Sequence, residues 1–274
     1  MTGDARYQRH VVVEVDAAVV GVSRRRWEGI DREDAEEALR RMAAERFDVL
    51  PLDRSGEPVR EAYRTEVWGT YGAVRLVEVG DDERLPYTTP IRDVVRWFAE
   101  GPERRFAFLE DERGETTGLI TVANLNCSQA RIWLYALIVE LEVTLANLLQ
   151  KERLDDDVLV RLVPAAAVGQ RIQDRLDGTD RSLTEYLYLS NLVNVIAKRG
   201  LFGAIGYAAR RPFETAFGRL NEVRHLVAHP VRSLVEHPAD VRRLWEAVQT
   251  AETALERLDA HRPWSADARG GETG

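Results

Sequence analysis

Apolar residues are spaced differently in the two halves of this chain. Up to about residue 127, short apolar runs alternate with stretches of helical periodicity, the signature of an α/β module. Val11-Val-Val-Glu-Val15 reads as a strand. Asp31-Arg-Glu-Asp34 opens a helix with acidic residues in its first turn, where the helix dipole favours them, and Ala35, Leu39, Met42 and Ala43 form its apolar stripe. Phe47 to Leu52 predicts a strand and Asp53-Arg-Ser-Gly56 a turn. The same order then recurs: a helix over Thr89 to Phe98 with Pro90 in its first turn, a strand at Phe106 to Leu109, an Asp111-Glu-Arg-Gly114 turn, and a strand over Thr117 to Thr121.

From Ser128 the chain reads as helix throughout. Gln129 to Lys151 is so apolar, with Ile132, Trp133, Leu137, Leu141, Leu145 and Leu149 among others, that neighbours must largely surround it. A charged break at Leu154 to Asp157 precedes a shorter helix, Leu159 to Leu176, interrupted near Pro164 and Gly169. Ser182-Leu-Thr-Glu185 matches a capping box and predicts the start of a helix running to about Lys198, which Gly200 and Gly203 end. Phe213 to His229 follows, stopped by Pro230, and Pro238 to Leu258 is the last helix. The tail from Pro263 reads as disordered. The fold class expected is thus two-domain: an N-terminal α/β module over 1–127 and an all-α, four-helix-type bundle over 128–262.

Composition narrows the setting. At 274 residues and 45% apolar content, two modules with proper cores are the natural expectation. No uninterrupted apolar run reaches the roughly 18 residues of a membrane span, and Met1 to His10 lacks a signal-peptide core, so a soluble, cytoplasmic protein with no membrane partner is expected. The lone Cys127 excludes an internal disulfide or a multi-cysteine zinc site. Net charge is −8, yet Lys198 to Arg243 carries nine basic residues against four acidic ones. That local excess is either a phosphate-facing surface or a solvated arginine-rich face.

Candidate chemistry concentrates in Asn221-Glu-Val-Arg-His-Leu-Val-Ala-His-Pro230. RNA carries its own nucleophile in the 2′-hydroxyl, so a metal-free ribonuclease needs only a proton-transfer group and a cation for the phosphorane. A histidine exchanges protons near neutrality and a guanidinium offers a fixed fork to phosphate oxygens. His229, at a helix C-terminus where the dipole favours a cation, suits an acid toward the departing 5′-oxygen. On an unbroken helix Arg224 and His229 would lie about 140° apart, so they converge only if the helix ends between them or if two copies meet. Other readings stay open. His225 and His229 share a helix face as zinc-binding pairs do, although no His-Glu-x-x-His order or third ligand accompanies them. Arg224 could instead bridge helices through Glu140 or Glu142, and Glu142 could equally orient Arg224 in a working site. Asp155-Asp-Asp157 reads as a solvated loop.

The segment with Arg224, four intervening residues and His229, the polar His225 after the arginine, Asn221 before it, and the helices over about 127 to 262 together resemble HEPN ribonucleases. The resemblance implies a symmetric homodimer with a composite catalytic site built from Arg224, His229, His225 and Asn221, RNA as substrate, no metal or cofactor for catalysis, and products ending in 2′,3′-cyclic phosphate and 5′-hydroxyl. It equally allows a non-catalytic regulatory or protein-interaction bundle, or an oligomeric scaffold. The twice-repeated helix, strand, Asp-x-x-Gly turn, strand order over about 10 to 127 resembles a pair of CBS motifs. This implies an adenine nucleotide as regulator, contacted by Gly118, Thr121 and Asn124 of Gly118-Leu-Ile-Thr-Val-Ala-Asn124. Asn124 stands where aspartate is usual and lacks its charge-assisted acceptor pair. The first repeat, around Gly56 to Tyr63, has no such segment.

Overall fold

The structure, a computed structural model, describes residues 14–54, 57–67, 69–101, 103–152 and 156–260. The expected strand at Val11–Val13, residues His10, Asp155 and His261, and the tail from Pro263 lie outside the described residues. The described chain divides into two compact units. One is mixed α/β, residues 14–133 with 233–245; the other is helical, residues 134–232 with 246–260.

In the α/β unit, α1 (Ala17–Val20) and β1 (Val22–Ser23) precede α2 (Ala35–Glu45), β2 (Val49–Pro51), and a hairpin of β3 (Glu61–Val67) and β4 (Thr70–Glu78). Then come β5 (Arg84–Pro86), α3 (Ile91–Glu100), β6 (Phe106–Glu110) and β7 (Thr116–Thr121). Asp34, the last residue of the acidic run, caps α2 by accepting from Glu37 N at 3.0 Å. Arg46 ends α2 in the left-handed region, φ 60°, with the amides of Arg46 and Phe47 both donating to Met42 O. The apolar side chains of α3 at Ile91, Val94, Val95 and Phe98 fall on one stripe and are buried.

Two sheets result, ordered β1-β7-β6-β5 and β2-β3-β4. β5 runs parallel to β6 with α3 as the crossover, and β6 turns back antiparallel into β7. The first half has the same plan in outline: Ile30 bridges Leu52 in parallel across α2, and β2 pairs antiparallel with β3. Buried residues of both halves, including Val49, Ala62, Phe106, Phe108 and Leu119, share one core cluster. Gly118 is required where β7 meets β1, because a Cβ there would lie 2.9 Å from Val22 O. The β3–β4 hairpin was not anticipated. Asn126 ties the segment 233–245 into this unit, donating to Val235 O at 2.8 Å and accepting from the amides of Leu234 and Val235.

The helices are α4 (Ser128–Lys151), α5 (Asp156–Val160), α6 (Ala165–Leu176), α7 (Leu189–Arg199), α8 (Arg210–Ala228) and α9 (Pro238–Ala260). In the helical unit α4 buries Leu134, Leu137, Ile138, Leu141, Leu145 and Leu149, each contributing roughly 1.5–3 kcal/mol of burial free energy. Phe213 and Phe217 of α8 pack with Tyr207, and Phe213 also meets Phe202. Proline at the third position of α8 is tolerated because first-turn amides have no helical acceptor. α4 is long and apolar enough to span a bilayer by length and composition alone. Its mid-helix Glu142, however, is engaged by other residues of the helical unit.

Three expectations need correction. Ser182–Glu185 does form its capping box, but on a 3₁₀ turn, Leu183–Tyr186; the helix begins only at Leu189, after the extended Tyr188. A capping box satisfies the orphan amides of any helical turn, so it does not guarantee propagation. Asp156 and Asp157 open α5 rather than forming a loop, and Pro164, extended, starts α6 while Gly169 lies unbroken inside it. Seven of the nine clustered basic residues fall in the helical unit. Several are paired, Arg210 with Glu214 and Arg219 with Glu246 among them, which reduces the free excess.

Candidate functional site

The amphipathic pattern of α8 fixes what each motif residue can do. Phe213, Phe217, Leu220, Val223 and Val227 face the core, which leaves Asn221 and Arg224 half-buried at the edge of the stripe and His225 and His229 exposed. The helix ends between the arginine and the distal histidine: Ala228 is its last residue and His229, at φ −116° and ψ 83°, has left helical geometry. His229 N still donates to His225 O at 3.2 Å, so His229 stays at the C-terminal turn, in the negative end of the helix dipole.

Asn221 and His225, one turn apart, are joined by Asn221 Nδ2 and His225 Nε2 at 3.3 Å. A carboxamide nitrogen donates, so Nε2 is the acceptor of this contact.

Arg224 is held from two sides. Its Nε lies 3.5 Å from Glu142 Oε1 of α4, and its guanidinium carbon sits 5.3 Å from the ring centre of Tyr188. Glu142 is itself fixed, because the same Oε1 accepts from Leu189 N at 3.0 Å and so caps α7. Of the two carboxylates considered from sequence, Glu142 is the one at Arg224; the backbone carbonyl of Glu140 accepts from Thr144. The approach through Nε matters chemically. The two terminal nitrogens of the guanidinium, the edge that grips a phosphate in bidentate fashion, make no hydrogen bond to a described residue. Arg224 and Glu142 are 25% and 20% exposed, so solvent and a ligand can reach the pair. Tyr188 was missed in the sequence because the capping box placed it inside a helix. Among the described residues no group of three or more His, Cys, Asp or Glu side chains could hold a metal, so the pair His225 and His229 gains no further ligand.

The α/β unit holds a second candidate, a cavity of about 410 Å³. Trp27, Phe47, Val49, Phe106 and Leu119 give it apolar walls, and Thr121 and Asn124 line it. Gly118 is not among its lining residues. Trp27 is immobilised: its Nε1 donates to Asp53 Oδ2 at 2.8 Å, Arg24 bridges the same carboxylate, and the indole packs edge-on to Phe108. Asp53, expected only as a turn residue, is thus a buttress for the cavity wall. Asn124 does not present an acceptor to the cavity. Its Oδ1 receives both Thr121 N, at 2.7 Å, and Thr121 Oγ1, at 2.9 Å, which caps the 3₁₀ turn Val122–Asn126. What remains is the Nδ2 donor pair. Arg26 and Arg46 stand exposed at the same cavity with no ion pair to a described residue, beside Glu28 and Glu45.

No protein-family model matches this chain, and no curated protein matches it.

Proposed function

We propose that the protein is a cytoplasmic, metal-independent endoribonuclease of HEPN type, acting as a homodimer, with a CBS-like α/β unit that senses an adenine nucleotide. The observation that carries the catalytic reading is the state of Arg224: its Nε lies 3.5 Å from Glu142 Oε1, its guanidinium sits over the Tyr188 ring, and the side chain is one-quarter exposed with no hydrogen bond to a described residue. A preoriented fork costs no reorganisation when charge develops on a phosphorane.

In the proposed reaction the RNA 2′-oxygen attacks the adjacent phosphorus, the P–O5′ bond breaks, and a 2′,3′-cyclic phosphate and a 5′-hydroxyl result. His229 of one copy, as imidazolium, protonates the departing 5′-oxygen, and the 2′-hydroxyl proton passes to water. A two-fold dimer then holds two such sites, each built from the Arg224 of one copy and the His229 of the other. Arg224 binds the non-bridging oxygens, and His225, in contact with Asn221, donates to the same phosphate. Glu142 orients Arg224 without touching substrate.

For the α/β unit, the repeated strand–helix–strand–strand plan and the apolar cavity lined by Thr121 and Asn124 support a planar base as ligand. With Asn124 Oδ1 occupied, the ribose hydroxyls would meet an amide donor, and Arg26 and Arg46, unpaired among the described residues, suit the phosphate.

The test is incubation of purified protein with end-labelled RNA in EDTA, with AMP or ATP added, followed by end-group analysis. Cyclic-phosphate ends made by wild type and lost in Arg224→Ala and His229→Ala are expected; intact RNA under every addition overturns the nuclease reading. A second reading, a non-catalytic nucleotide-responsive bundle, is favoured by one fact: Glu142 spans α4, α7 and α8 as a purely structural carboxylate would. It predicts a nucleotide-dependent rise in Tm with RNA untouched.

A further inference from the structure

Tyr188 is a large aromatic side chain left 64% exposed, and it sits at the extended residue before α7 rather than on a surface helix face. One face of its ring is covered by the Arg224 guanidinium at 5.3 Å. Its hydroxyl has no hydrogen-bond partner among the described residues, so nothing polar explains its position. Its backbone is fixed on both sides, by Leu189 N bonded to Glu142 and by Tyr188 O accepting from the amides of Asn191 and Leu192. The ring is therefore a largely exposed aromatic surface, carried on a hydrogen-bonded backbone and set against the cation assigned to the phosphate.

We infer that Tyr188 is a base-stacking residue of the α8 site: it receives the nucleobase beside the phosphate held by Arg224, and so gives the site its requirement for single-stranded RNA. This rests on the reading of Arg224 as a phosphate ligand. A base joined to that phosphate lies within one nucleotide of it, the reach that a ring already touching the guanidinium covers. In a duplex the base is stacked on its neighbours and cannot offer a face to Tyr188, whereas an unpaired base can. Because every base has a π-face, the preference would be for unpaired nucleotides rather than for one sequence.

The experiment uses the full-length protein and an RNA oligonucleotide carrying 2′-deoxy residues, which cannot form the cyclic product, with an abasic nucleotide placed at each position in turn. Tyr188→Ala should weaken binding about tenfold, and Tyr188→Phe should stay within about twofold of wild type. An abasic nucleotide at the stacking position should weaken wild type similarly and add nothing in Tyr188→Ala, a coupling that lost packing alone does not produce. Tyr188→Leu, which keeps apolar bulk, serves if the alanine variant unfolds, with the same expectation. Equal affinity of Tyr188→Ala and wild type, or an abasic penalty unchanged by the substitution, overturns the inference. Cleavage of ordinary RNA is read in parallel. If wild type binds through Tyr188 but cuts nothing, the nuclease reading falls and the stacking site stands; if wild type cuts and Tyr188→Ala leaves KM unchanged, the reverse holds.

Discussion

Removing Glu142 and removing Arg224 should have unequal effects on stability, and the inequality separates a working arginine from a structural one. Glu142 Oε1 accepts from Leu189 N at 3.0 Å, a cap whose loss costs about 1–2 kcal/mol, and it pairs with Arg224 at 3.5 Å across a partly exposed gap, about 0.5–1 kcal/mol. Glu142→Ala should therefore cost about 1.5–3 kcal/mol. Arg224→Ala loses only the long ion pair and the contact with an exposed ring, and the carboxylate left behind keeps both its amide partner and solvent. Its expected cost is about 1 kcal/mol. At roughly 2–4 °C per kcal/mol for a chain near this size, Tm should fall by about 3–12 °C in the first variant and about 2–4 °C in the second. Glu142→Gln, which retains an acceptor for Leu189 N, should lie between them. The assay is thermal unfolding of the three variants at neutral pH and moderate salt. An Arg224→Ala loss equal to that of Glu142→Ala would show that the guanidinium is a helix bridge, and the reasoning that leaves its terminal nitrogens for phosphate would fail.

Other variants probe the rest of the molecule. Asn126→Ala removes three hydrogen bonds to the segment at Leu234 and Val235 and should cost about 2–3 kcal/mol, measurable by urea unfolding. Gly118→Ala would press a Cβ to 2.9 Å from Val22 O and should destabilise by about 1–3 kcal/mol, whereas alanine at Gly169, with open space around it, should be neutral or stabilising. Arg46→Gly relieves a left-handed non-glycine backbone and should raise stability by about 1 kcal/mol, while weakening any AMP-induced rise in Tm because a cation at the cavity is lost. Asp174 has its pKa held below the usual carboxylate value, first by the Tyr186 hydroxyl bonded at 2.7 Å and next by Gln170. A depressed carboxylate contributes stability above its unfolded-state pKa and loses it as pH falls through the folded one. Tyr186→Phe should thus lower Tm at pH 7, with the gap to wild type narrowing in acid below the ordinary aspartate value of 3.8.

Helical periodicity was legible where punctuation was strong. Gly200, left-handed at φ 71°, ends α7 as glycine should, and Pro230 stops α8 one residue after His229. The β3–β4 hairpin escaped because neither strand alternates cleanly: in Glu61–Val67 the neighbours Ala62 and Tyr63 are both buried, and Thr70 to Glu78 has no buried residue and gives little contrast. Glu142 could not be separated from Glu140 by sequence, since both fall in one apolar helix and only the start of α7 selects between them. The engagement of the Asn124 oxygen could not be read from the sequence for a similar reason. A carboxamide three residues after Thr121 serves a ligand or its own turn equally well, and here its oxygen caps the turn.

Mixing two inactive variants tests whether Arg224 and His229 of different copies act on one phosphodiester. Arg224→Ala and His229→Ala proteins, each unable to cut RNA alone, should on subunit exchange recover about a quarter of wild-type activity, since half the dimers become mixed and each mixed dimer holds one complete site. Wild-type cleavage with no recovery on mixing, after exchange is verified by native mass spectrometry, would contradict a shared site.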